Sequence, residues 1–433
     1  MFHHKAVALA VASLLVTAGY AAAETSAPKL SLEPVVTAAE APARAPLMAG
    51  LDAIGAGSTL DQYGVNVYGW LQIGYTYNHR NTSSAGGTPK IALQPFNHEV
   101  GDHLMMNQLV LRAEKLVDTS KTWDIGGMIE LMYGSDANAI HSSGLPWNGD
   151  DPESVQSGED SGDDRYSPQY QFDIVQAYLD ISLGNGMKVR AGKFATLIGY
   201  EYIAAPFNPL YSKSLLFSVA PFTHTGILGY WTINDQWSVA GGITRGWDNA
   251  LSDNNNNGVD FLGQIAYTPN KQWSFYVNGS FGPQNYGEND NWRSLVDVIA
   301  NWTVTEQLSL GAELIYVCDG GYVGAPLTGG SGKGYGDAWG GAGYAKYILN
   351  EYMTLNARVE KLHYNYKTDG VTNNIYSATL GVTIKPFPKD RWGSNLMIRP
   401  EARYDVSEDA IFTTNSGDHK DQLTFGADVI FTF

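Results

Sequence analysis

The chain has 433 residues and a single cysteine, Cys318, so no intrachain disulfide framework can hold it together. It is also poor in charge, with 16% Asp, Glu, Lys and Arg, and the balance is acidic at −17, which argues against nucleic acid as a partner. Beyond the first two dozen residues no run of about 18 uncharged apolar residues occurs, because Gly, Asn, Thr or a charge interrupts every hydrophobic segment. Helical membrane spans are thereby excluded. A Gly-x-Ser-x-Gly elbow is missing, and the sequence places neither a serine nor a carboxylate beside His224 or His363, so catalysis has no visible apparatus and no cofactor is expected. Asp253 to Gly258 opens like a calcium loop, yet Gln264 stands at the twelfth position and strand residues follow. A solvated external turn is the expectation, with no metal. Gly329 to Lys333 fails the Walker spacing, since Gly334 stands where Ser or Thr is needed.

What is abundant points elsewhere. Aromatics reach 12%, with 26 Tyr and 11 Trp, beside 48 Gly, a composition suited to strands, tight turns and interfacial rings. Met1 to Lys5 carry positive charge, Ala6 to Ala18 form a short apolar run and Ala21 to Ala23 offer small residues for cleavage. Residues 1–23 read as a secretory signal peptide removed before Glu24. Residues 24–62, with Pro28, Pro34, Pro42 and Pro46 and no alternation, read as an Ala/Pro-rich periplasmic linker.

From about residue 63 to Phe433 the pattern changes to segments of roughly ten residues that alternate apolar and polar side chains, the period of a β-strand. In the last segment Leu423, Phe425, Ala427, Val429, Phe431 and Phe433 share one face, and Gln422, Thr424, Gly426, Asp428 and Thr432 the other. About sixteen such segments occur, from 64–77, 104–115 and 123–133 to 374–387, 395–405 and 421–433. Their connections alternate between tight turns at Asn185-Gly186, Asn234-Asp235, Asn270-Lys271, Thr305-Glu306 and Asn350-Glu351, and long loops at 78–103, 134–170, 198–222, 318–337 and 406–420. The expected fold is all-β: a closed antiparallel transmembrane β-barrel with short periplasmic turns, long external loops and both termini in the periplasm, exported to the outer membrane.

Parity assigns sides. Leu71, Ile73, Leu109, Leu111, Leu355 and Val359 face lipid, and Trp123, Trp231, Trp237, Trp273, Trp302 and Tyr352 fall near strand ends as interfacial girdles. Inward positions collect Arg112, Glu130, Arg190, Arg293, Asp297, Glu313, Arg358, Glu360, Arg399, Glu401 and Arg403, because a lipid-facing Arg or Lys costs about 2–4 kcal/mol at mid-membrane. These are the expected pore-wall residues, and they imply a polar lumen. Lys193 departs from the pattern, since strict alternation turns it outward unless a bulge intervenes.

Gly192-Lys193-Phe194, Ile198-Gly199-Tyr200-Glu201, Phe207-Asn208 and Pro221-Phe222-Thr223-His224-Thr225-Gly226 together resemble the OmpL-like, or second, β-barrel porin family, with similarity over about 64–433. The resemblance implies an outer-membrane porin: a water-filled channel for passive diffusion of small hydrophilic solutes. In the sixteen-stranded porins that the chain looks like, the third long loop folds into the barrel, which here makes 198–222 the constriction and Tyr200, Glu201, Tyr202, Phe207, Asn208, Tyr211 and Lys213 its residues. That segment is mostly apolar and aromatic, with Glu201 and Lys213 as its charges, so it should collapse rather than extend into solvent. If Glu201 faces the lumen arginines across a gap, a transverse field results. Phe431 and the terminal Phe433 fit an assembly signal for the barrel assembly machinery. Outer-membrane lipid and lipopolysaccharide surround such a barrel, a homotrimer is expected, and the acidic loop 134–170 favours cations weakly. The competing readings are a structural or adhesive barrel with a plugged lumen, and a barrel lipase or protease.

Overall fold

The computed structural model describes residues 44–79, 101–145, 170–250, 258–284, 289, 292–319, 336–366, 371–414 and 417–433. The expected signal peptide, the linker up to residue 43, the acidic cluster within 146–169, Asp253 to Asn257 and Gly329 to Lys333 lie outside the described residues. Its strands are β1 (Asn66–Asn78), β2 (Leu104–Lys115), β3 (Ile125–Gly134), β4 (Gln171–Gly184), β5 (Met187–Ala195), β6 (Thr223–Thr232), β7 (Trp237–Trp247), β8 (Asp260–Asn270) and β9 (Trp273–Pro283). There follow β10 (Trp292–Thr303), β11 (Leu308–Asp319), β12 (Gly336–Ile348), β13 (Met353–Tyr366), β14 (Val371–Ile384), β15 (Leu396–Ser407), the loop ribbon β16 (Phe412–Thr414) and β17 (Gly417–His419), and β18 (Asp421–Thr432). Sixteen of them form one closed antiparallel barrel in which each pairs with its sequence neighbours, and β18 returns to β1 and β15. All sixteen segments marked by alternation are present, displaced by a few residues at their ends.

Closure leaves no backbone edge in the hydrocarbon layer. At the seam, Gly69 N donates to Phe433 O and Phe433 N to Gly69 O, both at 2.8 Å. A Cβ at Gly69 would sit 2.1 Å from Val110 O and 2.7 Å from the Phe433 ring, so the terminal aromatic occupies space that only glycine leaves. Below this point β1 continues without β18, and the helix α1 (Pro46–Ala53) covers the edge: Val67 N donates to Met48 Sδ at 3.4 Å. With α2 (Gly57–Tyr63), braced by Arg44 between Asp52 and Asp61, α1 gives residues 46–63 a structure that the linker reading did not foresee. Helices of eight and seven residues are too short to show a periodic signature.

The tight turns behave as their residues dictate. Asn185 and Gly186 both have positive φ (53° and 78°), the geometry of a type I′ hairpin. Asn234, Asn270 and Asn350 each accept two backbone N–H groups through Oδ1, and Thr305 does so through Oγ1. Each turn is also sewn to the next hairpin: Thr232, Thr268, Thr303, Ile348 and Lys385 donate their N–H groups to Gly186, Gln236, Gln272, Gln307 and Tyr352 carbonyls. Above the turns, outward Trp237, Tyr267, Trp273 and Trp302 form a stacked belt, with centroids of 4.2 Å for Trp237–Tyr267 and 5.0 Å for Trp273–Trp302. Cys318 is half-buried at the external end of β11.

Candidate functional site

The connection between β5 and β6, residues 196–222, leaves the wall through a closed neck. Thr196 N donates to Phe222 O (3.0 Å), Thr196 Oγ1 meets His224 Nε2 (3.1 Å), and Asp248 Oδ1 accepts from Phe222 N and Thr223 N. From there the chain crosses the lumen to the opposite wall. Its apolar limb, with Leu215, Leu216 and Val219, packs on inward Leu295, Ile315, Leu362 and Ile375. On this side the external half of the lumen is therefore apolar and packed. This departs from the uniformly polar lumen expected from the charges: parity counts put these apolar residues inward too, but the loop that covers them comes from far away in sequence.

At mid-height the contact is ionic, and it is made mostly to the loop backbone. Asp297 accepts Gly199 N (2.9 Å), Glu313 accepts Tyr200 N (3.3 Å), Glu401 accepts Tyr211 N (2.8 Å) and Ser212 N (3.1 Å), and Glu360 accepts Leu215 N. The cations take the carbonyls: Arg358 donates to Ser212 O (2.8 Å) and Lys213 O (3.0 Å), Arg403 to Lys213 O (2.7 Å), and Arg399 to Ala205 O (3.0 Å) and Asn208 O. Arg358, Arg399 and Arg403 are at most 2% exposed, and each is neutralised, by Glu201 and Glu360, by Asp428 and by Asp405 respectively. Buried charges persist when paired and hydrogen-bonded in this way.

The loop residues singled out from sequence all lie in the lumen. Tyr200 stacks on Tyr344 at 3.9 Å, and Glu201 pairs with Arg358 at 2.7 Å while accepting Ser214 N. Tyr202 is 36% exposed, Phe207 lies edge-on to Trp70 at 6.3 Å, and Asn208 clips the turn through Tyr202 N (2.9 Å) and Tyr202 O (2.7 Å). Tyr211 is buried with its hydroxyl on Asn107 (3.3 Å), and Lys213 Nζ donates to Tyr202 O below the Phe217 ring. Glu201 and Arg358 touch and are buried, so they hold the loop rather than span an open gap. A field across the constriction cannot arise from this pair.

The remaining wall residues are spent differently. Arg112 pairs with Glu130, Arg190 with Asp180 (2.8 Å), and Arg293 with Asp319 (2.6 Å) near the external end. Lys193, 6% exposed, reaches Asp173 at 2.9 Å and the Ile174 carbonyl at 2.7 Å, next to the extra residue Val175 that breaks the β3–β4 register, so its ammonium ends at the bulged part of the neighbouring strand. Phe431 sits opposite Leu71 and Leu396 at the seam.

Two contributions escaped the sequence. Gln108 is fully buried and spans Trp70 Nε1, Ala205 N, Ile203 O and Asp136, and Asn356 donates to Pro209 O; both are neutral and so drew no notice as inward charges. The start of the second long loop, including α3 (Ser135–Ala139), turns inward, where His141 meets Asp173 at 3.1 Å and Ser142 meets Thr223. Among the described residues no group of His, Cys, Asp and Glu is arranged to hold a metal ion.

A lumen crossed by one docked loop is the frame in which the comparisons fall. Residues 64–433 match the family described as beta-barrel porin-2, OmpL-like. The chain belongs to this porin family. It is an outer-membrane channel protein, and family membership points to transport rather than catalysis. Among solved structures it is similar to OmpF of Salmonella typhi in complex with daunomycin (10% identity, TM-score 0.53, covering 85% of this chain and 97% of that one). It is also similar to the trimer form of OmpT from Vibrio cholerae (13%, 0.51, 85% and 99%) and to an anion-selective porin from Comamonas acidovorans (12%, 0.51, 85% and 99%). At these identities the likeness is one of fold. No curated protein sequence matches the chain.

Proposed function

We propose that residues 196–222 set the narrowest point of this porin, and that small hydrophilic solutes diffuse passively past the face of the loop carrying Tyr202 and Phe207. The observation that carries this reading is the one-sided docking: wall charges on β10, β11, β13 and β15 hold the loop backbone, while those on β2–β5 pair among themselves. The planar-bilayer conductance of the purified protein tests it. Stepwise openings that enlarge when Arg358→Ala frees the loop support it, and an absence of steps sinks it. A plugged structural barrel is the second reading, favoured by the apolar packing of the external half, and it gives no steps.

The finer assignments follow the same reading. Export uses residues 1–23 as a cleaved leader, checked by N-terminal sequencing of the outer-membrane form. The barrel assembly machinery recognises Phe431 and Phe433, and deleting Phe433 lowers insertion, read as heat-modifiable mobility. A homotrimer in lipid and lipopolysaccharide is supported by likeness to a porin described in trimer form, and native mass spectrometry showing monomer alone counts against it. Lipase or protease activity is not expected, because His224 is fully buried against Thr196 and cannot meet a substrate.

A further inference from the structure

Aromatic side chains gather on one side of the docked loop. Tyr202, the most exposed of the loop's rings at 36%, lies edge-on to Phe207 at 6.3 Å, which is in turn edge-on to Trp70 of β1 at 6.3 Å. Half-buried Tyr68 of β1 extends the row beyond Trp70. The row faces the end of the barrel that carries the tight turns. The Tyr200 hydroxyl lies 2.3 Å from where a Cβ of Gly311 would be, near that end of β11, and beyond it inward Lys346 is exposed and Asn301 half-buried. On the β10–β14 side the external half carries apolar packing instead. Trp70 itself is buried beneath the row, so Tyr202, Phe207 and Tyr68 form the floor of a periplasmic vestibule.

The charges beside it are compensated. Arg112 lies under Tyr68 and Trp70, at 5.6 and 5.2 Å from their centroids and 5.9 Å from Phe207, and its charge is taken by Glu130. Arg190 lies 3.6 Å from the Tyr178 centroid and its charge is taken by Asp180. At the row itself an ionic solute would meet guanidiniums already paired and would lose hydration on entering, while the exposed Lys346 stands beyond it toward the periplasm. A neutral solute with one apolar face and many hydroxyls fits both parts of the surface: the rings accept its C–H face, and the carboxylates, guanidiniums and phenols accept and donate hydrogen bonds at its edge.

We propose that this aromatic row is a binding track for neutral, ring-shaped polyols, that is, for sugars, entered from the periplasmic vestibule and shared by the constriction. The inference rests on the constriction reading above and narrows it to a substrate class. A linear glucose trisaccharide is the probe, tested as current block in planar bilayers and by calorimetry on the detergent-purified barrel. Wild type should show concentration-dependent block. Tyr202→Ala and Phe207→Ala should each weaken the apparent affinity about tenfold or more, Tyr202→Phe should retain it, and lipid-facing Leu380→Ala should leave it unchanged. Heat-modifiable mobility confirms that each variant folds, and Tyr202→Leu supplies equal bulk without a π-face should the alanine variant fail. Conductance steps without trisaccharide block or calorimetric binding overturn the track, as does benzoate blocking where trisaccharide does not, or an affinity untouched by Tyr202→Ala. Calorimetric binding that depends on Tyr202, in a protein without conductance steps, upholds the track and overturns the constriction reading instead.

Discussion

Two arcs of the same wall carry similar charges and use them in opposite ways. On β13, β15 and β18, Arg358, Arg399 and Arg403 with Glu360, Glu401 and Asp428 form a bed that receives the backbone of another segment. On β2–β5, Arg112, Glu130, Asp180 and Arg190 are cross-strand pairs that brace the wall itself. The difference teaches that an inward charge in a barrel is not by itself a pore charge. Its role depends on whether a foreign backbone reaches it.

Removing a charge from each arc should expose the contrast. Arg358→Ala leaves Glu201 and Glu360 buried without their cation, and breaking such a pair costs roughly 3–5 kcal/mol. The temperature of the heat-modifiable transition should fall markedly and single-channel current should become larger and noisier; an unchanged transition would deny the bed its role. Glu401→Gln keeps the shape but weakens two charge-assisted bonds to Tyr211 N and Ser212 N, each worth about 1.5–3 kcal/mol before the amide's own compensation. Current noise should rise with little loss of barrel stability. Arg190→Gln should leave the loop in place, because Asp180 keeps Lys188 at 2.8 Å. Its signature should be a reversal potential in a KCl gradient displaced toward cations, more so at low salt, where screening is weaker. A loosened loop in this variant would erase the distinction between the arcs. Asn270→Ala, far from both, removes a turn cap worth about 1 kcal/mol and should touch stability alone, in thermal unfolding.

The barrel was legible because the membrane enforces it locally. Each strand alternates by itself, and each tight turn carries its own Asn, Thr or Gly, so β9 or β13 can be recognised without its partners. The loop at 196–222 was legible by order and composition, and its seven singled-out residues do enter the lumen. Which charges meet it was not, since parity places Arg190 and Arg358 alike inward and says nothing of what lies opposite. Gln108 and Asn356 were hidden by neutrality, α1 and α2 by brevity, and the inward turn of residues 135–145 by dependence on contacts with β4 and with Asn249 just past β7. Lys193 shows the reverse case: β5 is regular there, and its ammonium is taken by Asp173 and Ile174 at the irregular stretch of β4.

The bed grips main-chain N–H and C=O groups at Gly199, Tyr200, Ala205, Asn208, Tyr211, Ser212, Lys213 and Leu215, groups that almost any residue possesses. A change of side chain at Tyr202 or Phe207 leaves every one of those bonds available. The loop is thus held largely by its backbone, with Glu201, Tyr200 and the apolar limb adding side-chain grip away from the free face. Point changes on the loop's free face can therefore alter what the lumen presents to a solute without removing a docking bond.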